Sequence, residues 1–446
     1  MRRVALHTLG CKLNFAETST IGRQFVERGF QVVAIDDPSD VVVLNTCSVT
    51  ERADREARQW IRRALRHSPG AFVVVVGCYA QLEPEEIASI DGVDLVLGAT
   101  EKSRLFEYAR DFHKDRYPRI HVSDVSASLD FAPAFSAEVG NRTRAFLKIQ
   151  DGCDYTCAFC TIPLARGASR SMSPDAVVQQ ARMLADSGYR EIVLTGVNVG
   201  DYGRKDGTSF LELLLKLDGI DGIDRIRVSS IEPNLLTERV IDRILGSRKF
   251  CNHFHIPLQS GSDAVLKRMR RRYLADDYRR VVEYINRQDS DAGIGADVIV
   301  GFPGETDELF EESLEFVIDL PVTYLHVFTY SERPNTPAAA FGGAVEPRVR
   351  FKRSEVLRMA GSRKRKEFFS RFLGASLPVL FEGGTEGNVS GLTTNYIRVR
   401  VDGGRELSNQ ILSVRLVDAK GDECRGELQD HTPSCDATSV ELEELS

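Results

Sequence analysis

Gln150-Asp151-Gly152-Cys153-Asp154-Tyr155-Thr156-Cys157-Ala158-Phe159-Cys160 puts three cysteines on one short loop, with gaps of three and then two residues. Three thiolates so spaced hold three irons of a cubane cluster. The fourth iron is left without a protein ligand, an open site where a small molecule is bound and reduced. A zinc site is the first rival, although structural zinc normally closes with four ligands and this loop offers no fourth Cys or His nearby. A thioredoxin-like redox pair is the second, since Cys157-Ala158-Phe159-Cys160 also fits C-x-x-C. The third cysteine favours the cluster.

The C-x3-C-x2-C loop, with an aromatic residue before its last cysteine, resembles that of the radical S-adenosylmethionine (SAM) enzymes. The resemblance implies that the open iron binds the amino acid end of SAM, that an electron from the cluster cleaves SAM to a 5′-deoxyadenosyl radical, and that Phe159 lies near the adenine. Taken alone, Phe159 reads as a packed aromatic.

Working outward from the loop, apolar strands are expected at Ala145 to Ile149, Glu191 to Leu194, Arg225 to Ser229, His253 to Pro257, Ile294 to Val300 and Tyr324 to Thr329, separated by helical stretches. Six such units suggest a partial (β/α)6 barrel, whose reacting residues come from the C-terminal strand ends. Those ends are polar and glycine-rich. On the family resemblance, Thr195 and Gly196 let the chain approach the amino acid end of SAM, Glu232 accepts hydrogen bonds from the ribose hydroxyls, and Gln259 contacts SAM or substrate. Each also reads as a helix cap or turn residue. The glycines of Gly293-Ile294-Gly295 precede a strand, the wrong place for a dinucleotide-binding fingerprint.

Ahead of the barrel the pattern is βαβα: Val4 to Thr8, then a helix from Glu17 to Arg28; Val41 to Leu44, then Thr50 to His67; Phe72 to Val76, then Pro84 to Ile90. Continuous apolar strands predict a parallel sheet covered by helices. Ligands of such sheets collect at the carboxyl ends of the strands. Cys11, Cys47 and Cys78 all fall there, so residues distant in sequence converge on one edge as a second candidate cluster site with one open iron. Three buried thiols packed as small hydrophobes are the alternative. Cys251, Cys424 and Cys435 lack partners at useful spacing and read as core or tail thiols.

The whole chain has 446 residues, enough for two or three cores. No apolar run reaches membrane-spanning length, the N-terminus does not read as a signal peptide, and nine cysteines without a secretory signal point to metal or redox chemistry in a reducing compartment. A cytoplasmic protein is expected. The formal charge of −7 does not suggest a nucleic-acid binder. Basic residues nevertheless concentrate in stripes at Arg52 to Arg66, at Lys267 to Arg272 and at Arg348 to Arg371. Each alone reads as a solvated helix face, and the three together favour a polyanionic partner.

After Leu373 short strands punctuated by Gly, Asn and Asp read as a small β-barrel, OB-like in size, of the kind that holds looped RNA. Tyr396, Arg398 and Arg400 offer stacking and phosphate contacts, or equally cross-strand packing. Residues beyond about Asp430 read as an acidic, disordered tail.

Taken together, the chain resembles the methylthiotransferases of the radical SAM class. That resemblance implies an N-terminal methylthiotransferase domain over residues 1–138 with an auxiliary [4Fe–4S] cluster on Cys11, Cys47 and Cys78. It further implies a radical SAM core over 139–372 with a second cluster on Cys153, Cys157 and Cys160, and a TRAM-like RNA-binding domain over 373–446. Thr8-Leu9-Gly10-Cys11-Lys12-Leu13-Asn14, Asn45-Thr46-Cys47-Ser48-Val49-Thr50 and Gly77-Cys78-Tyr79-Ala80-Gln81 are most similar to the branch acting on N6-threonylcarbamoyladenosine (t6A) at tRNA position 37. Leu13, Phe15 and the Asp151-Gly152 start of the central loop are small departures. On this resemblance one SAM methylates a sulfur species at the auxiliary cluster and a second supplies the radical that takes hydrogen from carbon 2 of the adenine. The implied partners are the tRNA anticodon stem-loop, a sulfur donor and a flavodoxin-like electron donor, with no membrane. An isopentenyl-adenosine methylthiotransferase shares every catalytic element. A ribosomal-protein methylthiotransferase, or a non-catalytic iron–sulfur or zinc RNA-binding protein, are the remaining readings.

Overall fold

The computed structural model describes residues 1–126, 130–136, 143–384 and 387–429. Six parallel strands make the first sheet: β1 (Arg3–Thr8), β2 (Gln31–Val33), β3 (Val41–Thr46), β4 (Phe72–Gly77), β5 (Leu95–Leu97) and β6 (Arg119–His121), in the order β2-β1-β3-β4-β5-β6. Every residue of β3 and β4 is buried, as their unbroken valine runs require of strands covered on both faces. Separate apolar clusters pack on either side of the sheet. The helix Glu51–His67 is capped by the Thr50 side chain, which accepts from the Ala53 amide at 3.2 Å, and carries acid in its first turn and base in its last. The first helix starts at Lys12 rather than at Glu17, with Cys11 as its N-cap residue. The short strands β2, β5 and β6 escaped the sequence reading because three-residue edge segments show too little periodicity.

A second body begins with β7 (Arg144–Lys148) and a small hairpin, β8 (Gln150–Asp151) with β9 (Arg170–Ser171). It continues through β10 (Glu191–Thr195), β11 (Arg225–Val228), β12 (His253–His255), β13 (Gly293–Val300) and β14 (Tyr324–Thr329). β7, β10 and β11 pair in parallel, as do β12, β13 and β14, and a bridge from Ile226 to Phe250 spans the gap between the two halves. The six strands expected from sequence are all present, shifted by one or two residues at their ends. Alternate residues such as Ile192, Leu194, Ile226, Phe254, Ala296 and Val298 pack outward against the helices. The intervening residues therefore face the lumen, and they are strongly polar: Lys148, Glu191, Arg227, His253, His255, Asp297, Tyr324 and His326.

The last body is a closed antiparallel-rich barrel of β15 (Ser376–Phe381), β16 (Val389–Leu392), β17 (Arg398–Val401), β18 (Ile411–Lys420) and β19 (Glu423–Leu428). It docks on the amino-terminal ends of the central strands. Arg225 donates to the carbonyls of Leu392 at 2.7 Å and Pro378 at 2.8 Å, and Arg227 to those of Thr393 at 3.1 Å and Thr394 at 3.2 Å. Cys251 and Cys424 are core thiols. The expected acidic tail and Cys435 lie outside the described residues. No helix among the described residues is long and apolar enough to cross a membrane.

Candidate active site

Cys11, Cys47 and Cys78 follow the carboxyl ends of β1, β3 and β4, three adjacent strands of one sheet. Gly10 brings the first two together. It has φ +97, and a Cβ placed there would lie 2.6 Å from Cys47 Cβ and 2.9 Å from its sulfur. A side chain at position 10 would therefore be strained and would displace a thiol. Burial, helped by the neighbouring Cys78 and Cys11, pushes the Cys47 thiol up to about 12. Three soft donors brought to one sheet edge, Cys47 and Cys78 buried and Cys11 exposed, are what an iron–sulfur cluster with one open iron needs.

The second triad needs no long-range assembly. Cys153 Sγ accepts from the Tyr155 amide at 3.4 Å, and the Cys160 amide turns back to the Cys157 carbonyl at 3.1 Å. Burial raises the Cys160 thiol to about 12 and the Cys153 thiol to about 11. Arg271 donates to Cys157 Sγ at 3.1 Å and forms an ion pair with Glu232. Charge-assisted donors onto sulfur fit a thiolate cluster ligand rather than a neutral thiol.

A buried ionic network joins the feet of the two triads. Arg166 bonds Asn14 Oδ1 at 2.5 Å, Glu17 at 3.1 Å and Asp151 at 3.0 Å, while Lys148 bonds Glu17 at 3.0 Å and Asp151 at 2.7 Å. Lys102 adds a third cation on Glu17 at 2.6 Å. Burial works against ionising Glu17, but Arg166, Lys102 and Lys148 outweigh it and hold the carboxyl well below its usual range. Excess positive charge here faces Cys11 and Cys78, both of which act electrostatically on Arg166, and it suits thiolates bearing a cluster. A second clamp holds the Cys47 loop: Arg333, just beyond β14, bonds Ser48 Oγ and Asp54, both at 2.7 Å.

Between the loops lies a cavity of about 210 Å³. Val49 and Thr50 line it on the Cys47 side, Phe159 and Cys160 on the other, with Gln259, Asp297, Phe328 and Ser331 from the barrel. Phe159 and Gln259 thus share one cavity. Thr195 is buried at the end of β10. Gly196 packs on Gln150, whose Oε1 would lie 2.8 Å from an added Cβ. Thr195, Gly196 and Glu232 do not line that cavity. Tyr396 stands in a different setting from the exposed stacking platform expected: φ is +73 and its ring stacks on His253 at 4.3 Å, on the floor of the central barrel. Arg398 pairs with Glu382 at 3.6 Å and Arg400 with Glu423 at 3.2 Å, on partly exposed strand faces.

Two of the three basic stripes also changed meaning. Arg268, Arg271 and Arg272 bond the Pro303 carbonyl, Cys157 and the Asp154 carbonyl, and so brace the cluster loop. Arg350 and Arg353 are buried against Glu332 and Glu305. The first stripe stays outside, lining a groove of about 770 Å³ with Arg52, Arg55, Trp60, Arg63 and Arg66. Arg166, Glu17, Asp297, His255 and His326 were not singled out from sequence, since isolated charges carry no motif.

Residues 147–317 match the Radical SAM superfamily, and residues 3–98 match the family described as uncharacterized protein family UPF0004. The threonylcarbamoyladenosine tRNA methylthiotransferase MtaB of Bacillus subtilis is 41% identical over 94% of this chain and 94% of its own length. The tRNA-2-methylthio-N(6)-dimethylallyladenosine synthase of Akkermansia muciniphila is 31% identical over 94% of this chain and 97% of its own. Among solved structures, the radical SAM methyltransferase TsrM from Kitasatospora setae superposes with a TM-score of 0.57 at 16% identity, covering 76% of this chain and 77% of that one, which shows a common fold. A relative this similar along nearly the whole of both chains, together with the radical SAM match, establishes that this chain belongs to the radical SAM tRNA methylthiotransferase family.

Proposed function

We propose that this chain converts N6-threonylcarbamoyladenosine at tRNA position 37 to its 2-methylthio derivative. In this reading Cys153, Cys157 and Cys160 hold the SAM-binding cluster, and Cys11, Cys47 and Cys78 hold the auxiliary one. The observation that carries it is the cavity shared by the Cys47 and Cys160 loops. The substrate assignment rests on the higher identity to the threonylcarbamoyladenosine enzyme, 41% against 31% for the dimethylallyladenosine enzyme.

When bound, [4Fe–4S] clusters and SAM supply radical cleavage of an inert C–H bond and delivery of a methylthio group, chemistry that acid–base side chains lack. The protein's share is placement. Arg271 donates to Cys157 Sγ and fixes the Glu232 carboxylate at the barrel mouth, where Glu232 is suited to ribose hydroxyls. Gln150 accepts from the Asn198 amide at 2.9 Å and donates to the Gly152 carbonyl at 2.8 Å, locking the Thr195-Gly196 turn to the cysteine loop. Phe159 offers an apolar wall to the adenine of SAM, and Gln259 a polar contact beside it. The Arg166 network keeps the two loops in register across the cavity. The Arg52 to Arg66 groove, with Arg398 and Arg400, supplies phosphate contacts to the anticodon stem-loop. A sulfur donor and a flavodoxin-like electron donor complete the reaction, and a tRNA substrate implies a cytoplasmic enzyme.

The test is mass spectrometry of tRNA nucleosides from a host lacking the activity, complemented with this gene or with its Cys153→Ala variant. The 2-methylthio form of the threonylcarbamoyl nucleoside is expected with the unaltered gene alone. Appearance of the methylthio-dimethylallyl nucleoside instead would overturn the substrate assignment. Absence of both, in a host with active cluster assembly, would overturn the reaction.

A further inference from the structure

A threonylcarbamoyl group ends in a free carboxylate, a charge that a dimethylallyl group lacks. The enzyme must neutralise that charge somewhere within reach of the cavity. Lys12 directly follows Cys11, and its ammonium has no hydrogen-bond or ion-pair partner among the described residues. It is open to solvent, yet it stands within electrostatic reach of Tyr396, Arg144, Arg227 and Glu191 and acts in turn on His253. Lys12 opens the helix Lys12–Glu27, whose Phe15 packs edge-on against Phe146 of β7 and whose Ala16 joins Phe146 and Val193 in one apolar cluster, so this helix end stands over the lumen-facing side of the central strands.

The other cations there are committed. Arg227 holds Glu191 at 3.0 Å, and Arg144 holds Glu382 at 2.6 Å. Above them Asp297 accepts from His255 Nε2 at 2.9 Å and from His326 Nδ1 at 3.1 Å. Burial works against its ionisation, but these two bonds prevail and hold the carboxyl well below its usual range. Asp297 also lines the cavity beside Phe159 and Gln259. Polar lumen residues thus extend from Asp297, which lines the cavity between the cysteine loops, to the floor residues that Lys12 faces electrostatically.

We propose that this lumen is the pocket for the N6 side chain of the substrate, with Lys12 binding the threonyl carboxylate and His326 and Asp297 contacting its hydroxyl and ureido groups. The inference rests on the threonylcarbamoyl reading above. Lys12 is placed by chain connectivity to the Cys11 side of the cavity and by its neighbours to the lumen floor, away from the mouth where the amino acid end of SAM is expected. An ammonium that has no partner of its own is available to a carboxylate entering the lumen, and the bond is charge-assisted on both sides.

The test uses the cluster-loaded enzyme and two anticodon stem-loops, one carrying the natural acid and one with that carboxylate converted to a carboxamide. Product is measured by mass spectrometry at fixed salt. The unaltered enzyme is expected to prefer the acid by about ten- to hundredfold in kcat/KM, the range of one charge-assisted hydrogen bond. Lys12→Met is expected to treat acid and amide alike, and Lys12→Arg to retain a preference. The acid-to-amide ratio is taken within each variant, so incomplete cluster loading cancels. Lys12→Met that keeps the full preference, or an unaltered enzyme that shows none, overturns the role of Lys12 while leaving the threonylcarbamoyl reading intact. Turnover of a dimethylallyladenosine stem-loop in place of both overturns that reading and this inference with it.

Discussion

The two cysteine triads make the same kind of donor set by opposite means. Cys153, Cys157 and Cys160 sit on one loop, so local turns such as the Cys160 amide to Cys157 carbonyl bond already bring the sulfurs near one another. Cys11, Cys47 and Cys78 lie on three loops, and only the pairing of β1, β3 and β4 assembles them. The first triad is a property of a peptide and the second a property of a fold. Damage to the sheet should therefore disable one site and spare the other, whereas damage at their shared base should disable both.

The largest effect expected comes from the cysteines themselves. Cys157→Ala should abolish both 5′-deoxyadenosine formation and methylthiolation, while Cys47→Ala should keep SAM cleavage and lose methylthiolation. Each should retain about half the iron, as two clusters of equal size imply. Product analysis and iron determination on the purified variants separate the cases, and equal loss of SAM cleavage in both would break the distinction drawn above.

Arg166→Met strikes the shared base. It leaves Glu17 and Asp151 buried with fewer cations and should cost about 3–5 kcal/mol of stability, the range for breaking a buried ion pair. Denaturant unfolding and iron content should show both sites weakened together. Arg271→Met acts on one side only. Without the donor to Cys157, and with Glu232 unpaired, SAM cleavage should fall about ten- to hundredfold, as for outer partners of metal ligands, with auxiliary iron retained. Gly10→Ala is the mirror case and the smallest. At φ +97 it should cost about 1–3 kcal/mol of local strain and lower auxiliary iron while the SAM-cleaving site stays loaded.

This contrast also explains what could be read from sequence. The contiguous triad was visible as spacing alone, and the dispersed one became visible once strand ends were marked, because a parallel sheet delivers successive strand ends to one edge. Six barrel strands were legible from their apolar runs. What stayed hidden depends on partners far away in the chain. Arg271 looked like one more charge in an exposed stripe until the fold set it against Cys157, and Arg166 gave no sign that Glu17 and Asp151 would surround it. Tyr396 misled for a related reason: a tyrosine followed by Arg398 and Arg400 reads as a surface, but its left-handed backbone turns the ring under His253. Lys12 was read as part of a motif without a role, since only the tertiary fold sets its helix against the central strands.

The docking of the small barrel beneath the central strands has a consequence for traffic. With Tyr396, Thr393 and Thr394 lying across the floor, an RNA seated at the mouth between the cysteine loops would also cork that way into the lumen. Small molecules that enter there would have to arrive before the nucleic acid or wait until it leaves, whereas the cavity beside Tyr324, His326 and Tyr396 would stay on the far side of the cork.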